Sequence, residues 1–149
     1  MPLDFEFLEH TADTRFLARG ATLDAVFVHA AEALFAAMYP WDDLQRLPPT
    51  RTLPPITVTG DDLEALLVNW LGELLWRWEV ERFVPTGIKV ILRNEPNSGS
   101  PGALTGEVAG VSWGEAPERI GPGVKAVTHQ DIRFEHTAAG WQVAVTLDI

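Results

Sequence analysis

The stretch GDDLEALLVNWLGELLWRW, residues 60–78, decides the fold class. Leu63, Leu66, Leu67, Trp70, Leu71, Leu74, Leu75 and Trp78 recur at three- and four-residue spacing, the pattern of an α-helix with one buried face. Gly60-Asp61-Asp62 supplies the polar opening that such a helix needs. A second, narrower stripe of Ala65, Val68, Gly72 and Trp76 runs along the opposite side. The helix is therefore either covered on both sides or offers Trp76 to a partner. Burial of Trp76 is the expectation, because loops of a two-layer domain are able to cover the second side.

Upstream lies a second helix of the ordinary amphipathic kind. Thr22 is a good N-cap, Asp24 suits the first turn, and Leu23, Val26, Phe27, Ala30, Ala31, Leu34, Phe35 and Met38 keep helical spacing. His29 and Glu32 fall on its other face, and Pro40 is expected to stop it. Residues 40–55 contain five prolines and read as a loop, followed by a short strand at Ile56 and Val58.

The remainder alternates with the period of strands. Leu3, Phe5 and Phe7 alternate with Asp4 and Glu6; Thr14, Phe16 and Ala18 alternate with Arg15 and Leu17. Ile88, Val90 and Leu92 begin a third run, a turn-rich connection occupies 94–102, and a weaker alternation fills 103–114. After a loop at 115–123, residues 124–134 read as a strand, and Trp141, Val143, Val145, Leu147 and Ile149 form a last one. This order predicts an α+β fold, with two amphipathic helices packed on a mixed, largely antiparallel sheet in a single compact domain over 1–149. Regular βαβ alternation is missing, which argues against a doubly wound architecture.

Bulk composition narrows the function classes. Hydrophobic residues make up 46% of the 149-residue chain, enough for one good core. No apolar run approaches the roughly 18 residues a membrane span needs, and the N-terminus lacks the basic region of a signal peptide. Cysteine is absent, which removes disulfides and thiolate chemistry and makes a cytoplasmic home the simplest expectation. Twenty-one acidic against eleven basic residues give a net charge of −10, a poor balance for gripping RNA directly. Such a surface suits a basic protein partner or divalent cations, or simply solubility.

Several standard sites are missing from the sequence: the phosphate-binding G-x-x-x-x-G-K-[ST] loop, the H-E-x-x-H metal motif and the G-x-S-x-G nucleophile elbow. Three places remain. His10-Thr11-Ala12-Asp13 is a polar cluster between two apolar strands, a weak signal on its own because Asp and Thr are ordinary loop residues. Lys125 stands in a strand pattern in a chain with only two lysines and nine arginines, and its plain reading is a solvent-facing side chain. At the end of the sequence Asp148 and the terminal carboxylate of Ile149 bring two negative groups together. They repel unless solvated or bridged by a cation or proton.

Together these places resemble the archease family. The resemblance rests on Glu9-His10-Thr11-Ala12-Asp13, Leu67-Val68-Asn69-Trp70-Leu71, Lys125-Ala126-Val127-Thr128 and Leu147-Asp148-Ile149, in this order along nearly the whole chain. One departure is His129-Gln130, where the family commonly has an aromatic residue and a histidine; no role is assigned to either position. The resemblance implies an activator of an RtcB-type tRNA-splicing ligase that promotes guanylylation of the ligase histidine, supports its turnover and broadens its nucleotide use. It implies no reaction of the chain's own. It further implies that Asp13, Asp148 and Ile149 hold a divalent metal, that Lys125 is needed for activation, and that tRNA is met only through the ligase complex.

Oxygen-only ligands suit Ca²⁺, Mg²⁺ or Mn²⁺ and not zinc. Two other classes stay open: a chaperone-like binding protein using Trp76, and a stand-alone metal-dependent hydrolase for which only His10 and His129 offer a base. Oligomeric state is not legible.

Overall fold

The structure is a computed structural model that describes residues 4–8, 13–97 and 99–149. The Glu9-His10-Thr11-Ala12 part of the first motif lies outside the described residues.

Both expected helices form, for the expected reasons. In α1 (Leu23–Ala36) the Thr22 hydroxyl accepts the Ala25 N–H at 3.2 Å, and in α3 (Leu63–Glu81) the Asp62 carboxylate accepts the Ala65 N–H at 2.7 Å. Pro40 does not stop α1, which already ends at Ala36; it caps a short helix instead, α2 (Trp41–Gln45), inside the segment read as a loop. Proline is well suited to the start of a helix, where its missing N–H has no partner to lose. Helix α3 closes on Arg82, a non-glycine residue in the left-handed region at φ 54°, whose N–H bonds back to Arg77.

The strands form two sheets rather than one, and every pairing among the described residues is antiparallel. In the first sheet β1 (Phe5–Leu8) pairs β2 (Thr14–Gly20), and β2 pairs β9 (Gly140–Asp148). The far edge of β9 is shared by β7 (Ala126–Val127) at one end and β8 (Arg133–Thr137) at the other. In the second sheet β6 (Gly102–Ser112) is central: β5 (Phe83–Asn94) lies along one edge, and β3 (Arg51–Thr52) and β4 (Ile56–Gly60) share the other. The single strand expected over 124–134 is thus broken into two, with Asp131 at φ 61° making the turn between them.

Helices α1 and α3 each touch strands of both sheets, so one core serves the whole chain. It contains fully buried Phe16, Phe27, Phe35, Trp70, Phe83 and Val145. Two indole N–H groups tie the layers: Trp70 donates to the Phe27 carbonyl at 3.1 Å and Trp78 to the Tyr39 hydroxyl at 2.8 Å. None of the described helices is long and apolar enough to cross a membrane.

The second stripe of α3 runs from the core into solvent. Val68 is buried, Gly72 is open, and Trp76 is 49% exposed with the Arg77 guanidinium 5.5 Å from its ring. The expected burial of Trp76 is therefore overturned, because the covering loops pack over α1 and the Trp78 side instead: Ile120 N–H bonds the Met38 carbonyl and Arg119 lies over Trp78. Trp76→Ala should accordingly shift stability by less than about 0.5 kcal/mol. A denaturant melt showing a core-sized loss of roughly 3 kcal/mol would mean that the ring is covered after all.

Candidate metal centre

Register alone gathers the residues singled out above. Thr14 pairs with Leu147 across β2 and β9, and Leu147 pairs with Val127 on β7. One residue further along, Asp13 immediately precedes β2, Asp148 is the last residue of β9, and Ala126 is its partner on β7. The Lys125 N–H donates to the Asp148 carbonyl at 2.7 Å, which fixes Lys125 beside the end of β9. Asp13, Asp148 and Lys125, from three separate segments, thus meet at one end of the first sheet. Leu147 is fully buried and Ile149 packs against the core, while Asp148 and Lys125 are exposed. Strand alternation explains the contrast: an apolar residue on either side anchors the backbone and turns Asp148 outward.

On the outward face, the next residue of β9 inward from Asp148 is Thr146, itself buried. It pairs with Arg15 on β2 and accepts the Thr128 N–H on its other side. Among the described residues, the two buried side-chain atoms without a hydrogen-bond partner are Arg15 Nε and Thr128 Oγ1. Buried polar atoms are ordinarily paired. These two atoms flank Thr146, at the same sheet end as Asp13 and Asp148. A cleft of about 490 Å³ continues from Arg15 along the same face, lined by Leu17, Asp131, Arg133, Glu135 and Gln142. Arg15 and Thr128 were not singled out from sequence, since an alternating polar residue on a strand looks solvent-facing until its cross-strand neighbours are known.

Chemically, the Asp13 and Asp148 carboxylates offer oxygen donors, which suit a hard divalent cation, and two side chains fall short of the six to eight oxygens calcium ordinarily takes. Arg15 lines the adjoining cleft and adds a positive charge beside them. His129 and Gln130 are exposed, beyond the last ladder bond of β7.

Residues 5–149 match the Archease protein family (MTH1598/TM1083). The chain belongs to the archease family. It is 36% identical to "Protein archease" of Methanosarcina mazei over 146 residues, which covers 97% of this chain and 95% of that one. "Protein archease" of the fish Ictalurus punctatus is 32% identical, with 87% of this chain and 76% of that one covered. Among solved structures, protein 1598 of Methanobacterium thermoautotrophicum superposes with a TM-score of 0.77 at 29% identity, covering 98% of this chain and 99% of that one. The Thermotoga maritima structure described as "an archease, possible chaperone" shares the fold, with a TM-score of 0.57 at 15% identity over 95% and 94%. The α+β architecture expected from the sequence is that of these archease structures, with three helices on antiparallel sheets.

Proposed function

We propose that this archease-family chain is a cytoplasmic metal-binding activator of an RtcB-type tRNA-splicing ligase and runs no reaction of its own. The observation that carries the reading is the register of β2, β9 and β7, which brings Asp13, Asp148 and Lys125 to one sheet end beside two unpartnered donors. In this reading Asp13, Asp148 and the Ile149 carboxylate hold Ca²⁺, Mg²⁺ or Mn²⁺, with waters or ligase groups completing the shell. The bound cation supplies positive charge next to phosphate oxygens, where preorganised charge accelerates attack on phosphorus. Lys125, exposed and held by its backbone, presents its ammonium to the same phosphates. Arg15, lining the adjoining cleft, adds positive charge on the same face, and the net charge of −10 favours a basic partner. RNA is met only within the ligase complex.

The test is ligation by purified ligase with and without this chain, measuring guanylylation and turnover. Faster guanylylation and multiple turnover with GTP, and use of other NTPs, are expected. No effect on a matched ligase would overturn the proposal, and RNA cleavage or phosphate release without ligase would replace it with the hydrolase reading. Lys125→Ala should melt within about 0.5 kcal/mol of the parent protein while activating at least about tenfold less, the effect of removing some 1.4 kcal/mol of transition-state stabilisation. Undiminished activation by the folded variant would remove Lys125 from the mechanism.

One observation favours a second reading. Trp76 and Val80 are both exposed on α3, 49% and 57%, and lie one turn apart. A chaperone-like protein would use such a face on unrelated clients, and rescue of aggregation-prone clients that is lost in Trp76→Ala would favour it.

A further inference from the structure

At the opposite end of β2 a second set of donors converges. Asp4 is held at the start of β1 by the Arg19 N–H, which donates to its carbonyl at 2.8 Å. His29 and Glu32 stand one turn apart on α1, so their side chains lie on one face. The three donor atoms of Asp4, His29 and Glu32 lie within 4.8 Å of one another.

The histidine decides what this cluster can be. Its Nδ1 bonds the Arg19 carbonyl, and a carbonyl oxygen only accepts, so Nδ1 carries the hydrogen. In the neutral ring Nε2 is then a lone pair, aimed at Asp4 Oδ2 only 3.5 Å away. Two acceptors this close favour a positive charge between them, which a metal ion supplies. Three features favour the metal. A backbone carbonyl on the far ring nitrogen is the usual support of a metal-bound histidine, fixing its tautomer and orientation. Donors bound to one ion at roughly 2.0–2.2 Å lie up to about 4 Å apart, so 3.5 Å already fits and a small rotation brings in Glu32. Finally, the cluster opens on a cleft of about 270 Å³ walled by Gly20, Thr137 and Trp141, with room for waters as further ligands.

We propose that Asp4, His29 and Glu32 form a second metal site, selective for a borderline transition-metal ion such as Zn²⁺ or Co²⁺. One nitrogen and two carboxylates select such ions over calcium and magnesium. The site is independent of the one built around Asp13 and Asp148. The seven residues of β2 separate the two, roughly 20 Å at about 3.3 Å per residue. Three protein ligands and a solvent-facing side leave a coordination position open, the arrangement of a metal that handles a ligand rather than one that only staples a fold.

The experiment is titration of Co²⁺, followed by its visible absorption, and of Zn²⁺, followed by melting temperature, into untagged protein kept in excess calcium. One saturable site per chain is expected. Its affinity should fall in both His29→Gln and Glu32→Gln by more than the roughly 10–100-fold weakening that follows loss of a ligand's supporting hydrogen bond. Asp148→Asn should bind Co²⁺ unchanged, so the outcome is separable from that of the ligase reading. No saturable Co²⁺ absorption would overturn the proposal. Binding that survives in folded His29→Gln and Glu32→Gln would overturn it too, by placing the ion elsewhere.

Discussion

Asp148→Asn should weaken Mn²⁺ and Ca²⁺ binding by at least about tenfold and reduce ligase activation with it, while the fold melts no lower than the parent protein. The amide keeps the shape of the carboxylate and leaves the Lys125 N–H bond to the backbone carbonyl at position 148 intact, so the sheet end has no reason to move. Removing one of two neighbouring negative charges relieves repulsion in the metal-free protein, which is why stability should hold or rise. A residue appended after Ile149 should act alike by a different route, converting the terminal carboxylate into a neutral amide and pushing extra chain past Asp148. An extension at Met1 is the control, since it touches neither feature. The measurement is calorimetric titration of Mn²⁺ or Ca²⁺ into all three proteins, run beside a turnover assay. Equal affinity and equal activation throughout would remove Asp148 and Ile149 from the site, and with them the metal part of the ligase mechanism.

What the sequence made legible follows from which interactions are local. Helix caps at Thr22 and Asp62 are contacts over three residues, so α1 and α3 were readable with their starts. The number of sheets was not. Alternation reports that a strand has two faces, and is silent on which strand lies beside it, so β6 and β9 looked like members of one sheet although each organises its own. Alternation also misled over 124–134, where a turn at Asp131 interrupts residues that keep strand-like composition. Trp76 was misjudged for a related reason. A stripe of Ala65, Val68 and Gly72 pointing along one side of α3 is apolar all the way, and only the path of the 115–123 loop decides where cover ends.

The candidate centre divides the same way. Asp13, Asp148, Ile149 and Lys125 were named through resemblance, and the register of β2, β9 and β7 supplies the proximity that spacing along the chain lacks. Arg15 and Thr128 were invisible because an orphaned atom is a property of its neighbours across the sheet. The Asp4–His29–Glu32 cluster had half a signal in sequence. A histidine and a glutamate at i and i+3 on the polar side of a helix form a ligand pair in waiting, but Asp4 joins them only once Phe5 pairs with Ala18 and brings the start of β1 over α1.

The largest expected change in stability comes from the contact between Trp70 and Gly106. Trp70 is the largest fully buried side chain, packed from α3 onto the central strand of the second sheet. A Cβ added at Gly106 would sit 2.3 and 2.4 Å from two carbons of the six-membered part of the indole, closer than any real contact. Neither side can easily yield. Gly106 is paired with Ile56 on β4 and with Val90 on β5, so its backbone is held by ladders on both edges, and the indole is pinned by its bond to the Phe27 carbonyl. Overpacking a rigid core typically costs about 1–3 kcal/mol and sometimes more, and Gly106→Ala should reach the top of that range. Trp70→Ala should cost about 3–5 kcal/mol through the cavity it leaves, a large share of the 5–15 kcal/mol by which domains are ordinarily stable. Trp70→Phe separates clash from cavity, because it removes the ring atoms that the new methyl would meet. In that background Gly106→Ala should cost less than it does alone, giving a coupling of at least about 1 kcal/mol in a double-mutant cycle. Denaturant melts of the parent, both single variants and the double variant supply the four corners. Additive losses would mean that the strand moves away from the indole at little cost, and that the close approach of α3 to β6 is not what makes glycine necessary at position 106.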